Sequence, residues 1–152
     1  MLGIAVFGVK VAAGSGSGET RNAGCHSIDV PQIDLVDETW IRTSLPRLAA
    51  EVADPANWRR WWPDLRLEVD ELRGLPGVRW SVRSPELQLA GAMEVWLEAA
   101  ADGVLLHYFL RLDPLGGRVL RPREVDRIRR SRALHAKRIF WKLKDDLEGM
   151  HR

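Results

Sequence analysis

Tyr108, Arg132 and His135 are the residues whose types and spacing allow chemistry on a bound organic molecule. A phenol on an apolar strand face seeks a hydrogen-bond partner, so Tyr108 is either a satisfied core tyrosine or a polar contact to a ligand. An imidazole at His135 suits acid or base work on a keto group. The competing reading is a helix-edge histidine bonded to water or backbone. Arg132 precedes it by three residues, and its forked donors suit an enolate or a carboxylate. The three make a polar cluster in an apolar cavity if one strand and one helix bring them together. His107 has the opposite parity to Leu106 and Tyr108 and is expected to face outward.

Other chemistries lack their residues. Gly14-Ser15-Gly16-Ser17-Gly18 has neither the lysine nor the strand-to-helix context of a phosphate loop. A single cysteine, Cys25, and scattered histidines give no zinc-ligand spacing. No nucleophile elbow appears. The expectation is therefore no metal, no cofactor and no assignable catalytic residue.

Apolar walls are well supplied. The chain of 152 residues has seven Trp against one Tyr and three Phe, which suggests either a dense core or wide apolar walls. The pocket candidates are Trp58, Trp62, Trp80, Met93, Tyr108, Arg132, His135 and Ile139.

The elements that must position them follow from periodicity. Residues 35–43 read as a strand, with Thr39 and Ile41 on one face. Ser44 as N-cap and Pro46 in the first turn open a short helix to about residue 54. Asp54-Pro55 breaks it. A second short helix over 56–62 places Trp58, Trp61 and Trp62 on one side, and Pro63 ends it. Leu65, Leu67 and Val69 alternate with charged residues as a one-sided strand. Val78, Trp80 and Val82 form the next. Leu89, Met93, Val95 and Leu97 face inward on a third. Asp102-Gly103 is a hairpin signal, followed by Val104, Leu106, Tyr108, Leu110 and Leu112. The short loops make the strands antiparallel. From Pro122 to Met150 the period becomes helical, with Val125, Ile128, Ala136, Ile139, Phe140, Leu143, Leu147 and Met150 on one stripe. A one-sided sheet must bury its apolar face, and this helix is the only long amphipathic element available. The predicted class is α+β, a helix-grip fold: a curved antiparallel β-sheet wrapped around a long C-terminal α-helix, with two short capping helices.

Residues 1–32 are expected to be a disordered extension and 33–150 the domain. The apolar start, Leu2 to Ala13, is interrupted by Lys10 and is too short to cross a bilayer. It reads as neither signal nor anchor. With one cysteine, a reducing, cytoplasmic location is expected.

Charge is uneven. Between Arg118 and Arg138 the chain carries a local net charge of +7, although the whole is only +2. Such a segment is either a solvated helix face or an attractor for an anionic ligand, membrane surface or RNA. A balance this near neutral does not indicate a dedicated DNA or RNA binder.

The stretch Asp54-Pro55-Ala56-Asn57-Trp58-Arg59-Arg60-Trp61-Trp62-Pro63, the Trp96 strand and Leu134-His135-Ala136-Lys137-Arg138 resemble the START-like (SRPBCC) superfamily. The members in question are the actinobacterial ones described as polyketide cyclase/dehydrase and lipid transport. The resemblance spans about Ile33 to Met150, with a sheet short of a strand or two. It implies a hydrophobic ligand (lipid, isoprenoid or polyketide-like) in a cavity between sheet and C-terminal helix, held by a carrier or a cyclase/dehydrase-like enzyme. The alternative is a toxin-like or ribosome- or RNA-associating module using the basic helix.

Overall fold

The computed structural model describes residues 30–149. In chain order they form β1 (Ile33–Ile41), α1 (Leu45–Ala53), α2 (Pro55–Trp61), β2 (Arg66–Leu72), β3 (Gly77–Ser84), β4 (Leu89–Ala100), β5 (Gly103–Pro114), a 3-10 turn (Leu115–Gly117) and α3 (Pro122–Gly149). The five strands make one antiparallel sheet in the order β1-β5-β4-β3-β2. A sheet closed over a long C-terminal helix is the helix-grip arrangement, as the period change near Pro122 predicts.

Local chemistry fixes the helix starts. The Asp54 carboxylate accepts from the Ala56 N–H at 2.8 Å with Pro55 beside it, so the residue that ends α1 also caps α2. At α3 the Glu124 carboxylate accepts from the Arg121 N–H at 3.1 Å, which is the reciprocal half of a capping box. The buried side of α3 carries Ile128, Arg132, Ala136, Phe140, Leu143 and Leu147. Met150 and residues 1–29, where the extension was expected, lie outside the described residues. Gln32 is built into the domain, since its side-chain oxygen accepts from the Leu120 N–H at 2.7 Å.

Three expectations shift. The first strand begins two residues earlier, at Ile33, and ends at Ile41. The two-residue hairpin loop is Ala101-Asp102, with Ala101 at φ 53°, and Gly103 already belongs to β5. Gly103 is needed for close approach instead: a Cβ there would stand 2.5 Å from the Ile41 carbonyl oxygen and 2.8 Å from the Trp40 ring. Finally, β2 is not cleanly one-sided. Leu65 just before it is buried, but Val69 is 43% exposed, and a register shift falls between Val69 and Glu71. The cause is position, because β2 is the edge farthest from β1, and α3 packs closest along β1. The middle of the sheet is covered by α1, over β3, β4 and β5. Beside it, Trp58 of α2 and Trp62 just past that helix pack against Trp80 of β3.

Candidate functional site

The aromatic candidates converge. Trp58, on α2, meets the Trp80 ring of β3 edge-on at 5.2 Å. Trp62, just past the end of α2, lies 5.9 Å from Trp80 and stacks on Tyr108 of β5 at 6.2 Å with an interplanar angle of 8°. Phe140 of α3 closes the group at 5.3 Å from Tyr108 and 6.5 Å from Trp62. Met93, buried on β4, pairs in register with Trp80 and with Leu110. Ile139 packs on the same core from α3, only partly buried. Strand parity and helical spacing thus bring the candidates together, and their rings fill the space between sheet and helix.

Two polar contacts pin the α2–β2 corner to α3. The Arg132 guanidinium, buried, donates to the Asp64 carboxylate at 2.5 Å. The His135 Nε2 lies 2.6 Å from the Trp61 carbonyl oxygen. A carbonyl only accepts, so Nε2 carries the hydrogen, and proton exchange with a ligand is left to Nδ1. Burial raises the Asp64 carboxyl, but the hydrogen bond and charge of Arg132 outweigh it and hold it below the usual carboxylate value. Trp62 sits inside this clamp.

One buried polar group among the aromatic rings lacks a hydrogen-bond partner among the described residues. The Trp80 side chain is fully buried and its Nε1 donates to nothing. The Tyr108 side chain is 2% exposed. Its phenol is pushed above the ordinary tyrosine value, first by burial, with Asp37 and Asp64 adding to the effect and Arg132 opposing it. Arg132 is therefore near enough to act on Tyr108 by charge, while its hydrogen bond goes to Asp64.

Sequence reasoning missed Asp37, Thr39 and Asp64 as members of this polar layer. Asp37 pairs in register with Tyr108 on the inner parity of β1 and forms an ion pair with Lys137 of α3 at 2.5 Å. Thr39 is buried on the same face, and its hydroxyl has no partner among the described residues. The alternation Ile33, Leu35, Asp37, Thr39, Ile41 carried the signal, since a carboxylate on an inward parity must meet a cation or a ligand. Asp64 had no such signal, because its partner lies 68 residues away. His107 faces outward as expected, between Glu38 at 2.9 Å and Glu98 at 3.2 Å. Three of the seven tryptophans take no part in the aromatic cluster. Trp40 packs under Lys144, Trp96 under Arg73, and Trp141 is exposed on α3.

Two surface grooves border α3. One of about 550 Å³ is lined by Arg123, Asp126, Arg127, Arg130, Ser131, Leu134 and Arg138. The other, about 260 Å³, lies near Leu35 of β1 and Ala133. Neither lies among the aromatic rings. No group of three metal-ligating side chains occurs among the described residues.

A five-stranded antiparallel sheet and a long closing helix define a helix-grip domain of the α+β class. Solved structures share it. Protein Ms6760 from Mycobacterium smegmatis matches with a TM-score of 0.57 at 9% identity, over 79% of this chain and 94% of that one. The Aha1 dimer from Colwellia psychrerythraea gives 0.54 at 14% identity, over 76% and 96%. CalU16 from Micromonospora echinospora gives 0.50 at 11%, over 77% and 74%. At these identities the likeness is one of fold. No protein-family model and no curated protein sequence matches the chain.

Proposed function

We propose that this chain is a cytoplasmic binder of an apolar small molecule, a lipid, isoprenoid or polyketide-like compound carrying at least one hydrogen-bond acceptor. The supporting observation is the unpartnered Trp80 Nε1 inside a cluster of aromatic rings. A buried N–H without an acceptor costs about 1–3 kcal/mol, and a ligand oxygen placed there removes that cost. Trp58, Trp62, Met93 and Ile139 supply apolar wall, while Tyr108 offers a hydroxyl to the same molecule. Arg132 and His135 hold the corner that carries Trp62, which must swing off Tyr108 to admit a ligand. Cyclase/dehydrase-like chemistry would use Tyr108 as a neutral hydrogen-bond donor and His135 Nδ1 as the proton carrier.

Native mass spectrometry of the purified chain is the direct test. A co-purified apolar molecule, lost in Trp80→Phe and Trp62→Ala but kept in a surface variant such as Arg79→Gln, supports the reading. Absence of any bound molecule, together with no tryptophan fluorescence response to a panel of fatty acids, isoprenoid alcohols and aromatic polyketides, overturns it.

A further inference from the structure

The side of α3 turned away from the core is a second, separately organised surface. At 100° per residue, Arg123, Arg127, Arg130, Leu134, Arg138 and Trp141 fall within an arc of about 80°, opposite the buried stripe from Ile128 to Leu147. The stripe runs for about 27 Å along one continuous helix. Its two apolar members are the unusual ones, since Leu134 is 53% and Trp141 60% exposed. Its four arginines are unusual as well. Arg118 pairs with Glu124 and Arg132 with Asp64, but none of the four forms a salt bridge among the described residues. The groove of about 550 Å³ lies between these guanidiniums and Leu134.

We propose that this face of α3 docks the protein on an anionic lipid bilayer, with the arginines on headgroup phosphates and Leu134 and Trp141 at the boundary with the acyl chains. Clustered arginines on a helix face are drawn to acidic lipids, and exposed tryptophan favours the bilayer interface. RNA would satisfy the arginines equally well. It gives no reason for Leu134 to stand in the middle of them, whereas a bilayer accepts both groups along one line. The opposite side of α3 is fixed in the core, so the stripe is presented rigidly to a planar surface. The proposal does not depend on what the interior binds.

The test is flotation of the full chain with phosphatidylcholine vesicles, with and without about one quarter phosphatidylserine. Binding is expected only with the acidic lipid and should weaken as salt rises. Each of Arg127→Gln and Arg130→Gln should lower the partition coefficient about fivefold, and the change of all four arginines more than a hundredfold. Leu134→Ala with Trp141→Ala should lower the binding that persists at high salt. These positions point away from the core, and circular dichroism verifies that each variant is folded. Equal binding to both vesicle types, or binding unchanged in the fourfold variant, overturns the proposal. So does a chain that binds a single-stranded RNA homopolymer but neither vesicle.

Discussion

Raising the pH isolates Tyr108, because it is the only tyrosine in the chain and any phenolate signal is its own. In the unfolded chain a phenol loses its proton near pH 10. In the folded chain burial holds the proton on to higher pH. Above about pH 10 the native state therefore binds one more proton than the unfolded state. Stability supplied by this group is fully present below that pH. It falls by about 1.4 kcal/mol for each further pH unit until the folded value is reached. Between pH 10 and 11.5 that amounts to about 2 kcal/mol, a large part of the stability of a domain this size. The assay follows phenolate absorbance and tryptophan fluorescence together while the pH is raised. The two transitions should coincide, with no phenolate while the chain remains native. Tyr108→Phe should remove the 1.4 kcal/mol slope. It should leave neutral-pH stability within about 0.5 kcal/mol, since Phe keeps the ring that packs against Trp62 and Phe140. A phenolate forming near pH 10 in a chain with native fluorescence would refute the burial of Tyr108 and the polar layer built around it.

Trp62→Ala should lower stability by about 3–5 kcal/mol in urea unfolding, because its ring touches Trp61, Trp80, Tyr108 and Phe140 at once. A loss below 1 kcal/mol would mean that the ring already spends its time outside the cluster. Arg132→Met should cost about 2 kcal/mol, less than a fully buried pair because Asp64 is 37% exposed. The Asp64 carboxyl is held below its unfolded value. The stability this pair provides should thus be present above about pH 4 and be lost as the pH falls through the folded value. Acid unfolding of the wild-type chain and of Arg132→Met, compared between pH 2 and 6, checks the sign; an identical pH dependence in both would refute it.

The strands and the closing helix were legible because each is a local pattern. Period two over Val104, Leu106, Tyr108, Leu110 and Leu112 set the inner face of β5, and the same parity put His107 outside. The change of period near Pro122 announced α3, and Asp54-Pro55 separated α1 from α2. These signals depend on neighbours in sequence, so they survive without coordinates. The single-sided reading of β2 failed because edge position is not a local property. Its alternation is real, but Val69 on this edge strand stays 43% exposed.

The triad of Tyr108, Arg132 and His135 illustrates the same division. Its residue types and the inward parity of Tyr108 were legible in the sequence. Their partners were decided by tertiary structure alone. Arg132 is taken by Asp64 and His135 by the Trp61 carbonyl, both on a corner brought in from some 70 residues away. Tyr108 is left covered by Trp62. Hydrogen bonds reach about 3 Å and are specific to geometry, so pairings between distant segments are fixed only when the core closes.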